Sequence, residues 1–350
     1  MERFRYYVVL YCLSKLSGER SIYAIYHILQ GKKSSQTIQD TKLFNLELFF
    51  QTLQFLTKKD IDDIIYELET NECIYVTKKD TYILTNKGHF YLEKFEKIYP
   101  IPSYLNGWRY HKKSPLFWQR FSLSVQALSY LMNKHISFIP VINDDETQRW
   151  VKDDLKTINN RYEHSNKLYK ECYSILKELP NSHHAELFVL HLSSYHRVGY
   201  TIEQIARFMD LDQEYALILF QSVLHFTIDA IEANTDHFPN LNRFLDLGQP
   251  ITSLTQSSQK TYELLKQKKS ISEIALIRNL KESTIEDHVV EIASEVEGFN
   301  IHPFITKELE GKISETFISL GTKRLKPIRN ALQETVSYFQ IRLVLGRMEK

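Results

Sequence analysis

The chain has 350 residues, 43% of them hydrophobic, and 44 lysines and arginines against 43 aspartates and glutamates, for a formal net charge of +1. That length can bury more than one core and suggests two or three domains, while the charge balance excludes a global basic field, so any nucleic-acid contact has to come from local patches. The three cysteines Cys12, Cys73 and Cys172 form no CxxC pair, which fits a reducing, cytoplasmic setting, and the 10 glycines and 9 prolines favour helices over a turn-rich β architecture.

The apolar run Tyr6 to Leu10 is interrupted at Lys15, Glu19 and Arg20, short of membrane-spanning length, and no small-residue cleavage site follows. Neither a signal peptide nor a transmembrane helix is expected. Thr57 with Asp60 three residues on predicts a helix start, and Ile61, Ile64, Ile65 and Leu68 follow at helical spacing. Cys73 to Val76 and Thr81 to Leu84 read as two strands joined by a polar turn, and Thr85 as the cap of a closing helix through Lys97. Helices, a two-stranded wing and another helix resemble a winged-helix domain over residues 1–98, with Tyr82 to Gly88 its most characteristic stretch. Lys78 and Lys79 fall at the wing tip as candidate DNA contacts.

Pro100 and Pro102 mark a break, and no acidic residue occurs between Lys97 and Asn143. Trp108-Arg109-Tyr110-His111-Lys112-Lys113 and Phe117-Trp118-Gln119-Arg120-Phe121 alternate cations with aromatics. Such a strip can stack on single-stranded bases while Arg109, Lys112, Lys113 and Arg120 neutralise phosphates. The more ordinary reading is a linker whose aromatic residues pack onto neighbouring domains, with the cations in water. From Asp144 to Glu178 the pattern is polar and helical, so residues 99–180 read as a basic and aromatic linker with bracing helices.

Two segments then match each other. Thr201-Ile202-Glu203-Gln204-Ile205-Ala206 with Leu211 has the spacing of Ser270-Ile271-Ser272-Glu273-Ile274-Ala275 with Leu280. A hydroxyl cap, an apolar face and a small alanine at the crossing are what a helix-turn-helix needs. Asp210 and Asn279 fall where the turn wants a positive φ. The second helices are expected after Asp212 and Ser283. The fold class is therefore mainly α, with a helix-turn-helix-like domain at 181–250 and a helix-turn-helix domain at 251–350.

The run from Lys260 to Met348 resembles the helicase-associated helix-turn-helix domain at the C-terminus of many RecQ-type helicases. The resemblance rests on Thr261-Tyr262-Glu263-Leu264-Leu265, the box at 270–275 with Arg278, Ser283-Thr284-Ile285 and His288, then Leu320-Gly321, Leu325-Lys326-Pro327-Ile328 and Ser337-Tyr338-Phe339-Gln340-Ile341-Arg342-Leu343. The whole chain is similar to the YpbB-type proteins of Firmicutes, in which this domain stands without a helicase motor. That resemblance implies work beside a RecQ-type helicase in DNA repair or recombination.

Catalytic signatures do not accompany it. Gly31-Lys32 and Gly311-Lys312 lack the rest of a phosphate-cradling loop, and no serine or cysteine sits in an elbow or dyad. His183, His184, His191 and His196 have neither HExxH spacing nor paired cysteines. No enzyme activity, metal or cofactor is expected.

Base reading in the major groove uses Arg, Lys, Asn or Gln at the start of the second helix. The C-terminal unit offers Thr284, Glu286, Asp287, His288 and Glu291 there, which points to contact with a protein partner instead. The cations Lys323, Arg324, Lys326 and Arg329 crowd seven residues with no acid between Thr316 and Gln333. They can clamp phosphates without reading sequence, or balance nearby carboxylates. Taken together, the expected function is a non-catalytic accessory protein of a RecQ-type helicase with non-specific DNA contact. Its rivals are a winged-helix or helix-turn-helix transcription regulator and a dimerising scaffold that never touches DNA.

Overall fold

The structure is a computed structural model that describes residues 3–246 and 254–348; the expected domain boundary between 250 and 251 lies outside the described residues. It is mainly helical, with a single two-stranded antiparallel hairpin among the described residues. In chain order the first elements are α1 (Phe4–Leu16), α2 (Ile22–Gln30), α3 (Ser35–Leu43), α4 (Lys58–Thr70), β1 (Ile74–Lys78), β2 (Thr81–Leu84) and α5 (Asn86–Ile98). Next come α6 (Gly107–Tyr110), α7 (Lys113–Met132), α8 (Asp145–Lys156), α9 (Arg161–Lys177), α10 (Ser182–Leu190), α11 (Ile202–Phe208), α12 (Gln213–Ala233) and α13 (Pro239–Asn242). The last are α14 (Gln256–Lys266), α15 (Ile271–Arg278), α16 (Glu282–Glu295), α17 (Lys307–Leu320), α18 (Leu325–Ala331) and α19 (Tyr338–Met348).

Local chemistry sets the expected elements. Thr57 and Asp60 form a reciprocal capping box, the Thr57 amide donating to Asp60 Oδ2 at 2.7 Å and the Asp60 amide to Thr57 Oγ1 at 3.2 Å. Ile61, Ile64, Ile65 and Leu68 turn inward from that start. The hairpin pairs Ile74 with Leu84 across a turn in which Asp80 takes φ 56°, a conformation aspartate tolerates. Thr85 then caps α5, accepting from the Gly88 amide at 3.0 Å. Gly88 is required there, because a Cβ would sit 2.0 Å from the Cys73 carbonyl oxygen.

The described residues fall into two compact units. One comprises 3–7 with 93–246, the other 8–92 with 254–348.

The first unit is built around α12, which packs against α7, α9, α10, α11 and α13. By length and apolarity this helix resembles a membrane span, but Ile218, Val223, Ile228 and Ile231 are fully covered by its neighbours. It is the core helix of the unit. Asp212 caps it, accepting from the amides of Glu214 and Tyr215 at 2.8 and 3.1 Å. Before the cap, Asp210 turns the chain at φ 52°, and Ala206 is buried where α11 meets α12. Both features follow the sequence pattern.

The second unit joins segments from the two ends of the chain. Its central helix is α16, which packs against α14, α15, α19 and α3. Ser270 and Glu273 form the capping box of α15, and Asn279 turns the chain at φ 51°. The start of α16 differs from expectation: Lys281 takes the extended N-cap conformation and Glu282 is already helical, so Ser283 lies inside the first turn and caps nothing.

Candidate functional site

The helix-turn-helix of the second unit presents its second helix inward. Ile285, His288, Val289, Val290, Glu291, Ile292, Ala293 and Ser294 are buried, leaving the first turn and one flank of α16 toward solvent. The cover on one side is α3, a polar helix most of whose buried groups have partners, Gln39 Nε2 being an exception. Asp40 accepts from Arg20 Nε at 2.8 Å and from Gln36 Nε2 at 2.9 Å, and Thr41 Oγ1 donates to the Thr37 carbonyl at 2.8 Å. Burial raises the Asp40 pKa against the pull of Arg20. Lys42 donates to the Ser294 carbonyl at 2.9 Å and pairs with Glu295, fixing α3 to the far end of α16.

The five expected partner contacts divide accordingly. Thr284, Glu286 and Asp287 are partly exposed at the start of α16. His288 and Glu291 are not surface groups. Glu291 is 6% exposed and accepts from Ser258 Oγ at 2.6 Å and from the Thr255 amide and hydroxyl, and burial raises its pKa. His288 is 8% exposed, with Nδ1 2.9 Å from Thr261 Oγ1 and 3.3 Å from Arg278 Nη1. Burial, with Arg278 adding to it, lowers its pKa to about 4. Both residues hold α14 and α15 onto α16.

The cations at 323–329 are largely engaged within the unit. Arg324 donates to the Gly18 carbonyl, the Lys323 amide donates to Glu19 Oε2 at 2.8 Å, and the Lys323 ammonium lies 5.0 Å from the Phe44 ring centroid. Arg329 donates to the Val336 carbonyl at 3.1 Å and stacks on Tyr338. Lys326 alone of the four is exposed. The cluster staples α18 to the segment between α1 and α2, and it does not form an open phosphate clamp.

The strip at 108–121 is likewise drawn into the first unit. Phe117 stacks on Phe121 with centroids 5.5 Å apart, and Trp118 packs against Phe188, His191 and Phe220. Arg120 is 8% exposed, lies 4.3 Å from the Trp150 ring centroid and donates to the Asp246 carbonyl at 2.6 Å, so it cannot reach a phosphate. Arg109 is bridged to Asp229 at 2.9 Å and Lys113 to Glu232, while Lys112 is half-buried. Packing is the role these aromatics take.

Lys78 and Lys79 are exposed at the wing tip as expected. The neighbouring face of α4, however, exposes Asp62, Asp63, Glu67 and Glu69 around a 71%-exposed Tyr66. Those carboxylates would repel a phosphate backbone.

The histidines of 183–196 find partners one by one. His184 Nδ1 meets Tyr104 Oη at 2.6 Å, and His191 stacks on Trp118 with centroids 5.1 Å apart. Among the described residues no three His, Cys, Asp or Glu side chains converge as a metal site.

One surface escaped the sequence reading. On α15, Leu276 is 82% and Ile277 57% exposed, with Leu280 beside them in the turn. The repeat pattern named Leu280 but passed over Leu276 and Ile277. A signal existed: Ile274, Leu276 and Ile277 cannot all share one face of an eight-residue helix.

A family profile described as a helix-turn-helix domain matches residues 257–345. Over 341 residues the chain is 35% identical to "Protein YpbB" of Bacillus subtilis (strain 168), covering 97% of this chain and 96% of that protein. No solved structure matches it.

Proposed function

Starting from a chain that belongs to the family of protein YpbB, we propose that it is a non-catalytic, cytoplasmic accessory protein of a RecQ-type DNA helicase whose C-terminal helix-turn-helix docks protein and does not read DNA. The observation that carries this reading is the placement of α16. A reading helix has to offer one flank to the major groove along several turns. Here α3, α14, α15 and α19 occupy most of the circumference, and the start carries the exposed Glu282 with the partly exposed Glu286 and Asp287, the last paired with Arg342. An apolar patch at Leu276 and Ile277 lies on the helix before it, the composition of a partner-binding surface.

The helicase as partner, and repair or recombination as setting, come from the resemblance of residues 260–348 to helicase-associated domains. The test is co-purification of the full chain with a RecQ-type helicase and an unwinding assay with and without it. Association weakened by Leu276→Asp, and unwinding changed by wild type but not by that variant, are the outcomes that support the reading. No complex and no change in unwinding would sink it.

A regulator that reads duplex DNA through the wing is favoured by one observation, the exposure of Lys78 and Lys79. Mobility shifts on random and selected duplexes at rising salt separate the two, since a reader keeps its specificity as non-specific binding fades.

A further inference from the structure

An open cleft of about 770 Å³ lies in the second unit between the end of α14, the start of α15 and the segment that follows α16. That volume is within the roughly 300–1,000 Å³ typical of ligand clefts. Tyr262, Phe299 and Phe304 line it together with Lys266, Lys268 and Lys269; no aspartate or glutamate is among the described residues that line it. The rings form a continuous row, Tyr262 meeting Phe299 edge-on at 6.1 Å and Phe299 lying near-parallel to Phe304 at 6.4 Å. All three are half-buried, so each is anchored yet reachable.

The cations are placed to act with the rings. Lys266 Nζ lies 4.9 Å from the Tyr262 centroid, and Lys268 is exposed in the left-handed turn between α14 and α15. Lys266 and Lys269 are bridged to Glu263 and Glu273 at 2.7 and 3.7 Å, but these are exposed pairs that water and salt readily exchange. Across the cleft Gly298 takes φ 71°, and a Cβ there would meet nothing within 4 Å, which leaves that side clear.

We propose that this cleft binds a short stretch of single-stranded nucleic acid, its bases against Tyr262, Phe299 and Phe304 and its phosphates on Lys266, Lys268 and Lys269. Aromatic faces with tracking cations accept any base, because every base has a π-face. A duplex keeps its bases stacked inside and cannot use the rings. The proposal rests on the accessory reading in one respect: it supplies the DNA contact which the basic turn and the 108–121 strip, turned inward, do not.

Fluorescence anisotropy of the full chain with a labelled oligothymidylate, a duplex of equal length and a glutamate-rich peptide carrying phenylalanine tests it. Wild type should prefer the oligothymidylate. Tyr262→Ala should weaken binding by roughly tenfold or more, the usual loss for one stacked base. Replacing the three lysines by glutamine should reduce the slope of log affinity against log salt by about 2, given about 0.7 per phosphate on a single strand. Circular dichroism and the thermal midpoint report whether either variant is folded, and Lys268→Gln alone, at an exposed position, should still lower affinity. The proposal falls if the oligothymidylate is not bound, if folded variants bind it as wild type does, or if the acidic peptide binds and the oligothymidylate does not compete. Helicase association lost through Leu276→Asp is scored separately, so failure of the cleft leaves the accessory reading standing, and the reverse.

Discussion

Arg342 and Asp287 meet at 2.5 Å between α19 and α16, and the same guanidinium donates through Nε to Gln39 Oε1 on α3 at 2.9 Å. One planar fork thus ties three helices, two from the end of the chain and one from its beginning. The arginine side chain is 16% exposed and the aspartate 35%, so water screens part of the attraction. Arg342→Met should cost about 1–3 kcal/mol, in the range for hydrogen bonds to a charged group. Arg342→Lys should not restore it, because one ammonium cannot span both acceptors. Urea midpoints give the first quantity, and faster amide exchange in α3 should accompany it.

The four cations at 323–329 should separate by the contacts they make. Arg324→Ala removes the bond to the Gly18 carbonyl and should lower stability by about 1–2 kcal/mol. Lys326→Ala, at an exposed site, should stay within about 0.5 kcal/mol. Neither should alter DNA association if the open cleft carries it. Thermal midpoints and anisotropy on the same preparations decide this.

Asn279 turns the helix-turn-helix at φ 51° and ψ 48°. Asn279→Ala should destabilise by about 1 kcal/mol, the cost of holding a side chain without asparagine's local hydrogen bonding in the left-handed region. Asn279→Gly should be close to neutral. Two melting curves suffice.

Acid should weaken the fold through His288. Its pKa is lowered from 6.5 to about 4 by burial first and Arg278 second, with Asp287 opposing. Above 6.5 the ring is neutral folded or unfolded, and the native contacts with Thr261 and Arg278 are intact. As pH falls from 6.5 toward 4 the unfolded chain takes up a proton that the native chain refuses, so stability declines through that window and levels off below it. His225, lowered to about 3 by burial in the first unit, acts with the same sign. Glu291 opposes both, since burial raises its pKa and its cost is relieved as pH falls. His288→Gln should flatten the loss between about pH 7 and about pH 5, where one proton contributes at most about 1.4 kcal/mol per pH unit. An unchanged pH slope in urea titrations would contradict this.

What the sequence made legible is local. The Thr57 box, the hairpin ending at Gly88, the boxes at 201–206 and 270–275 and the positive φ of Asp210 and Asn279 each depend on residues a few positions apart, where cap and turn chemistry acts. Helix α3 was invisible for the opposite reason. Ser-Gln-Thr-Ile-Gln-Asp-Thr-Lys-Leu carries no apolar stripe, yet six of its nine residues are buried: Ile38 and Leu43, and four polar ones among which Asp40 is met by Arg20 and Gln39 Oε1 by Arg342. Hydrophobic periodicity cannot register a polar face matched by one arginine 20 positions away and another 303 away. The cations from 323 to 329 misled in the same way: charge along the chain does not say whether a Gly18 carbonyl stands opposite. Nor does spacing bring Tyr262 beside Phe299.

Because residues 8–92 and 254–348 close on each other, the second unit has no complete core until the ribosome has delivered both. At about 5–20 residues per second, the early segment waits on the order of ten to fifty seconds for its other half. During that interval α3 lacks α16 and α19, against which it packs, and Leu43 at its end and Phe44 just after it, both buried in the finished unit, wait for the same segment. A helix that is polar but for Ile38 and Leu43 is suited to such a delay, since most of its surface tolerates water while uncovered. The polarity that hid α3 in the sequence thus leaves little of that helix to shield from water before the helix-turn-helix arrives.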